Sequence, residues 1–158
     1  MAVAVGDPAP DFEAQTQSGE TVRLRDYAGQ YLVLYFYPKA FTPGCTKQTL
    51  RFRDNYPDLK ELGAEVLGVS LDDPETQCDF GRQYDVTFPL VADDNKQLSR
   101  KYGVVRKLLP VDKRVTFVID PEGKIAAQFH HEFQVNKHLD DVVKFLRQAQ
   151  PKGQSAAQ

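Results

Sequence analysis

Seven consecutive residues, 31–37 (YLVLYFY), carry only apolar or aromatic side chains. A half-solvated strand would alternate with polar residues, so an unbroken run suits a central strand covered on both faces. Covering both faces calls for layers on each side of a sheet, which points to an α/β fold. Pro38 ends the strand, because it brings no N–H to a ladder. A helix is predicted over about 43–62, with Phe52, Tyr56 and Leu59 at spacings of four and three and Gly63 at its C-terminal end. "AEVLGVSL" reads as a second buried strand. "DDPETQCDFGRQYD" reads as a shorter helix, with Asp73 as N-cap and Pro74 at its first position. "FPLVAD" is a predicted strand and "NKQLSRKYG" a short helix ended by Gly103. "RVTFVIDPEGKIAAQFHH" is a hairpin turned by Asp-Pro-Glu-Gly. "NKHLDDVVKFLRQA" is an amphipathic helix with Leu139, Val142, Val143 and Leu146 on one face. Segments 12–16 and 21–24, around Ser18-Gly19, predict an N-terminal β-hairpin. The expected architecture is α/β: a central mixed β-sheet flanked by helices.

At 158 residues the chain is read as one domain over 1–150, able to bury a core without disulfide or metal staples. Residues 151–158 are read as a flexible polar tail. A net charge of -2 gives no reason to expect nucleic acid or an anionic membrane as partner. No stretch approaches the ~20 apolar residues of a bilayer span. The start, "MAVAVGDPAPDF", lacks the basic region and apolar run of a signal peptide. Two cysteines, Cys45 and Cys78, are too few for a disulfide scaffold and lack zinc-ligand spacing. Together these features predict a cytoplasmic protein whose cysteines rest as thiols.

Thr42-Pro43-Gly44-Cys45 has the chemistry of a helix start: Thr42 can cap, and Pro43 sits where its missing N–H costs nothing. Cys45 then lies in the first turn, where unpaired N–H groups and the positive dipole end stabilise a thiolate. Thr49, Phe52, Tyr56 and Leu59 continue its face, so the thiol points into the fold beside the end of the preceding strand. On these grounds alone Cys45 is either a reactive thiol or a small apolar residue packing a helix terminus.

Pro38-x-x-x-Thr42-x-x-Cys45, within "YFYPKAFTPGCTKQ", resembles the signature of peroxiredoxins, in their bacterioferritin comigratory protein or peroxiredoxin Q branch. The resemblance runs from "GDPAPDF" to "HLDDVVKFL" and includes Arg114 in "RVTFVIDPEGKI". It implies a thioredoxin-like fold and a thiol peroxidase that reduces hydrogen peroxide or organic hydroperoxides through Cys45. It also implies that Arg114 stabilises the charge on sulfur and leaving oxygen, that Thr42 hydrogen-bonds the peroxide, and that Pro38 shields the thiolate. No metal or cofactor enters this chemistry. Many members of the branch carry a second cysteine five positions after the first, where Leu50 stands here. Cys78 is predicted on the polar side of its helix with Glu75, Arg82 and Asp85, and some members carry a resolving cysteine on that helix, near Gly81 here. The expectation is therefore a Cys45–Cys78 disulfide reduced by thioredoxin, with a one-cysteine enzyme recycled by glutathione or another external thiol as the alternative. Segments that family members use for arm-swapped dimers do not appear, so a monomer is expected.

His130, His131 and His138 lack ligand spacing and are read as solvent-exposed. Gln48, one turn from Cys45, is read as shaping the site, while Glu13, Lys39 and Arg53 are ordinary polar positions. Three other classes remain open: a dithiol oxidoreductase, which lacks a Cys-x-x-Cys; a Cys–His hydrolase using His130 or His131; and a non-catalytic peroxide-sensing module.

Overall fold

The computed structural model of the chain describes residues 3–149. The expected flexible tail, 151–158, lies outside the described residues. The N-terminal hairpin is present as β1 (Glu13–Gln15) and β2 (Thr21–Arg23), paired antiparallel with Ala14 opposite Val22. The apolar run 31–37 supplies β3 (Tyr31–Phe36), which stands at the centre of a five-stranded sheet. On one side β3 pairs parallel with β4 (Ala64–Ser70), which pairs parallel with β5 (Leu90–Ala92). On the other it pairs antiparallel with β6 (Val115–Ile119), which forms the expected hairpin with β7 (Ile125–His130). The sheet order β5-β4-β3-β6-β7, with helices on both faces, is that of a thioredoxin-like fold.

Side chains of a strand alternate between faces, so β3 feeds two cores. Val33 and Tyr35, with Tyr37 just beyond the strand, pack with α1 (Pro43–Glu61), α2 (Pro74–Gln83) and α4 (Asn136–Ala149). Leu32, Leu34 and Phe36 pack against Phe12, Tyr102 and α3 (Gln97–Lys101).

The parallel β3–β4 step requires a crossover, and α1 is that crossover. It runs through Pro57 and stops at Leu62 and Gly63, whose φ of +82 is a left-handed conformation open to glycine. The predicted cap of α2 is also present: the Asp73 carboxylate accepts the Thr76 N–H at 2.8 Å. For α3 the structure departs from expectation. Lys96 adopts a left-handed φ of +63, and the helix begins at Gln97. Its first N–H, on Gln97, goes to Asn95 Oδ1, and the next two, on Leu98 and Ser99, to the buried Asp93 carboxylate.

Candidate active site

The loop between β3 and α1 carries the signature residues and is tied down from two sides. Ala40 donates its N–H to Asp72 Oδ2 at 2.7 Å, and the same carboxylate oxygen accepts the Ser70 hydroxyl at the end of β4. Phe41 takes a left-handed φ of +68, and its ring meets Phe80 of α2 edge-on at 5.2 Å. Strain at a non-glycine residue survives only where its surroundings hold it, and the aromatic contact does so here. Thr42 occupies the N-cap position with extended backbone, but its hydroxyl makes no cap bond. It donates instead to the Lys39 carbonyl at 2.7 Å, which corrects the expectation of a capping side chain. Pro43 opens α1, and the first ladder bond is donated by the Thr46 N–H to the Thr42 carbonyl. The N–H groups of Gly44 and Cys45 therefore precede the helix ladder and point their partial positive charge out of its end.

Cys45 is fully buried. Across the sheet, Arg114 lies immediately before β6 and is only 7% exposed, so it is no solvated strand-edge charge. Its Nη1 lies 3.3 Å from Cys45 Sγ and donates to Gln48 Oε1 at 2.9 Å. Its Nε donates to the Glu132 carbonyl at 2.9 Å, and its backbone N–H to Glu132 Oε2 at 3.0 Å. A buried guanidinium needs a counter-charge. Among these partners of its side chain, only the sulfur can carry a full negative charge. Cys45 Sγ thus lies between a buried guanidinium and the N-terminal end of α1, both of which carry positive charge toward it. Deeper in the same core, the buried Tyr35 hydroxyl and Thr49 Oγ1 share a hydrogen bond at 3.0 Å. Gln48 Nε2 is buried with no hydrogen-bond partner.

A family model described as "AhpC/TSA family" matches residues 5–128. The chain belongs to the AhpC/TSA family. It is 38% identical to the chloroplastic peroxiredoxin Q of Gentiana triflora over 148 residues, covering 93% of this chain and 68% of that protein. It is 40% identical to peroxiredoxin Bcp of Escherichia coli K12 over 149 residues, covering 90% and 95% of the two chains. The crystal structure of the Xanthomonas campestris bacterioferritin comigratory protein, studied for alkyl peroxide reduction, superposes with a TM-score of 0.84 at 32% identity, covering 91% and 98%. Within the family the chain is thus a peroxiredoxin of the Q/Bcp branch, an oxidoreductase that reduces a peroxide with electrons from a thiol.

Two further predicted residues of this peroxiredoxin, Pro38 and Cys78, are half-buried. Pro38 sits half-buried in the same loop. Cys78 is half-buried on α2, beside Arg82, whose Nη2 is 3.5 Å from Sγ; Glu75, Arg82 and Asp85 are exposed, as the helix pattern implied. Both cysteines are free thiols. Of the histidines expected in solvent, His130 is exposed, while His131 and His138 are not. His138 is fully buried: Thr116 Oγ1 lies 2.8 Å from its Nδ1, and the His131 carbonyl lies 2.8 Å from its Nε2. Burial pushes its pKa down to about 4. It stands four residues before Val142 on the apolar stripe of α4, a spacing that marks it as inward-facing. His131 pairs with Asp141 at 2.7 Å, and the exposed His130 with Glu132 at 2.7 Å. Among the described residues no cluster of histidine, cysteine and carboxylate could hold a metal. Glu132, two residues beyond β7 and distant in sequence from the signature, was invisible to motif reasoning.

Proposed function

We propose that Cys45 is the peroxidatic nucleophile, with Arg114, Thr42 and Pro38 completing its site. The observation that carries this reading is the buried contact of 3.3 Å between Arg114 Nη1 and Cys45 Sγ at a helix N-terminus. The Cys45 thiolate attacks one oxygen of the peroxide in line. An S–O bond forms, the O–O bond breaks, and the sulfur gives up two electrons to become a sulfenic acid. The departing alkoxide or hydroxide takes up a proton and leaves as alcohol or water. Arg114 stabilises the charge as it moves from sulfur to the leaving oxygen, and arginine suits this because it stays charged and presents fixed donors. The Thr42 proton is already committed to Lys39, so its Oγ1 meets the peroxide as an acceptor and orients the O–H. Pro38, which carries no donor of its own, keeps bulk water from the sulfur. The substrates in this reading are hydrogen peroxide and alkyl hydroperoxides.

For the second half of the cycle, Cys78 attacks the sulfenic sulfur, an S–S bond forms and water leaves; thioredoxin then reduces the disulfide by thiol exchange. Support comes from the half-buried Cys78 beside Arg82, and from the contacts of Phe41 with Phe80 and Tyr84, which join the Cys45 loop to the Cys78 helix. The bridge needs a Cα separation within about 7 Å, and because Cys45 is fully buried in the first turn of α1, that turn opens to bring its sulfur to Cys78. Leu50 at the usual position of the partner cysteine favours a second reading, in which an external thiol such as glutathione meets the sulfenic acid directly. A monomeric, cytoplasmic enzyme belongs to the same proposal, and sedimentation at working concentration tests the first of these.

The deciding experiment follows NADPH oxidation through thioredoxin reductase and thioredoxin. Peroxide-dependent turnover is expected to vanish in Cys45→Ser. In Cys78→Ser, one equivalent of peroxide is expected to oxidise Cys45 at the parent rate while thioredoxin-dependent turnover is lost. Undiminished turnover in Cys78→Ser, or a persistent sulfenate without an internal disulfide in the parent protein, assigns the external-thiol route instead.

A further inference from the structure

We infer that Glu132 is a positioning residue for the peroxide reaction, acting by fixing Arg114 from behind. The inference rests on the reading of Cys45 and Arg114 given above. Arginine has many rotamers, and a guanidinium that wanders over them stabilises a transition state poorly. Here one residue pins it twice: the Glu132 carboxylate holds the Arg114 backbone N–H, and the Glu132 carbonyl holds Nε. With both points fixed, the remaining edge of the guanidinium is aimed at Sγ and Gln48.

The carboxylate is itself held in place. Arg106 Nη2 reaches Oε1 at 2.7 Å, and His130 Nε2 lies 2.7 Å from Oε2, the same oxygen that takes the Arg114 N–H. Partial burial opposes its ionisation, but the Arg114 N–H, His130 and Arg106 outweigh that and hold the carboxyl below the usual carboxylate range. An ionised Glu132 accepts at both oxygens and can serve Arg114, His130 and Arg106 at once. The turn after β7 thereby becomes the back wall of the site. A purely electrostatic role would have the opposite sign, because a negative charge behind Arg114 draws its field away from the sulfur. Position and charge are therefore separable by experiment.

The test uses the full chain with Cys78→Ser, so that Cys45 is the one thiol followed. It reads the second-order rate with hydrogen peroxide by stopped flow, and the pH midpoint of Cys45 alkylation by iodoacetamide. E132A is expected to slow the peroxide reaction about tenfold and to move the alkylation midpoint to higher pH. E132Q keeps an amide oxygen for the Arg114 N–H and is expected to recover most of the rate, which also guards against a folding defect in E132A. In an Arg114→Ala background E132A is expected to add no further loss, since it acts through that side chain. An E132A rate within twofold of the parent overturns the inference, as does E132Q as slow as E132A. The same tenfold loss persisting without Arg114 overturns it too. If Arg114→Ala alone reacts at the parent rate, the reading of the site fails and this inference with it.

Discussion

Gly44 stands beside the reactive thiol and opposite the guanidinium. A Cβ placed there would lie 3.2 Å from Arg114 Nη2 and 3.5 Å from Val135 Cγ1. Its backbone is helical, so the demand is for space and not for an unusual φ. The neighbour that has to yield is Arg114, anchored at its backbone N–H and Nε. Gly44→Ala is therefore expected to push Nη2, and with it Nη1, off the sulfur while alanine adds helix propensity to α1. A hydrogen bond to a charged group contributes about 1.5–3 kcal/mol, and about 1.4 kcal/mol is a factor of ten in rate. The peroxide rate constant is expected to fall about tenfold with the thermal midpoint unchanged or raised; an unchanged rate would show that the guanidinium has room to shift.

The elements that carry the site are held by a different close approach. Tyr35 of β3 stacks on Phe52 of α1 at 4.6 Å and on Tyr37 at 5.5 Å, and its hydroxyl reaches Thr49. That ring lies over Gly68 of the neighbouring strand, where a Cβ would come within 2.8 Å of Tyr35 Cζ and of Leu90 Cδ2. Neither is the free end of a flexible chain, because both sit in the core. Overpacking costs about 1–3 kcal/mol, so Gly68→Ala is expected to lower the urea midpoint by that stability. A variant as stable as the parent would mean that Tyr35 can tilt away without loss. The 31–37 run, the start of α1 and the closing hairpin were legible because each is encoded by neighbouring residues. The start of α3 was not, because its cap is Asp93 from before the turn, acting across a left-handed Lys96. Cys45 and Thr42 were visible in one short string. Arg114 entered only through resemblance, since 69 residues separate it from the thiol it touches. Glu132 belongs to no motif, and its role exists only after β6 and β7 pair.

Across the whole molecule, two buried ionisable groups set opposing pH dependences on stability. Asp112, fully buried, has its pKa raised to about 7, first by burial and then by the charges of Asp93 and Asp72, against the Ser99 hydrogen bond and Lys96. In an unfolded chain an aspartate titrates near ~3.9, so between those values the folded state binds more protons. Its contribution is fully present below about pH 4 and is lost as pH rises to about 7. His138 runs the other way. Burial leads, with the His131 and Arg114 charges, in lowering its pKa to about 4, against the His131 carbonyl and Asp141. The unfolded histidine, near ~6.5, binds the extra proton, so its contribution is present above that pH and is lost as pH falls to about 4. Over the shared window each group supplies a slope of roughly 1.4 kcal/mol per pH unit, with opposite signs, and the two nearly cancel. Asp112→Asn is expected to leave the histidine slope exposed, so that unfolding free energy rises with pH between about 4.5 and 6.5. His138→Asn is expected to show the reverse, falling with pH over the same range. Urea titrations at four or five pH values read the slopes directly, independent of any constant loss from the substitutions. Parent-like slopes in both variants would mean that neither group is held in its buried protonation state by the fold.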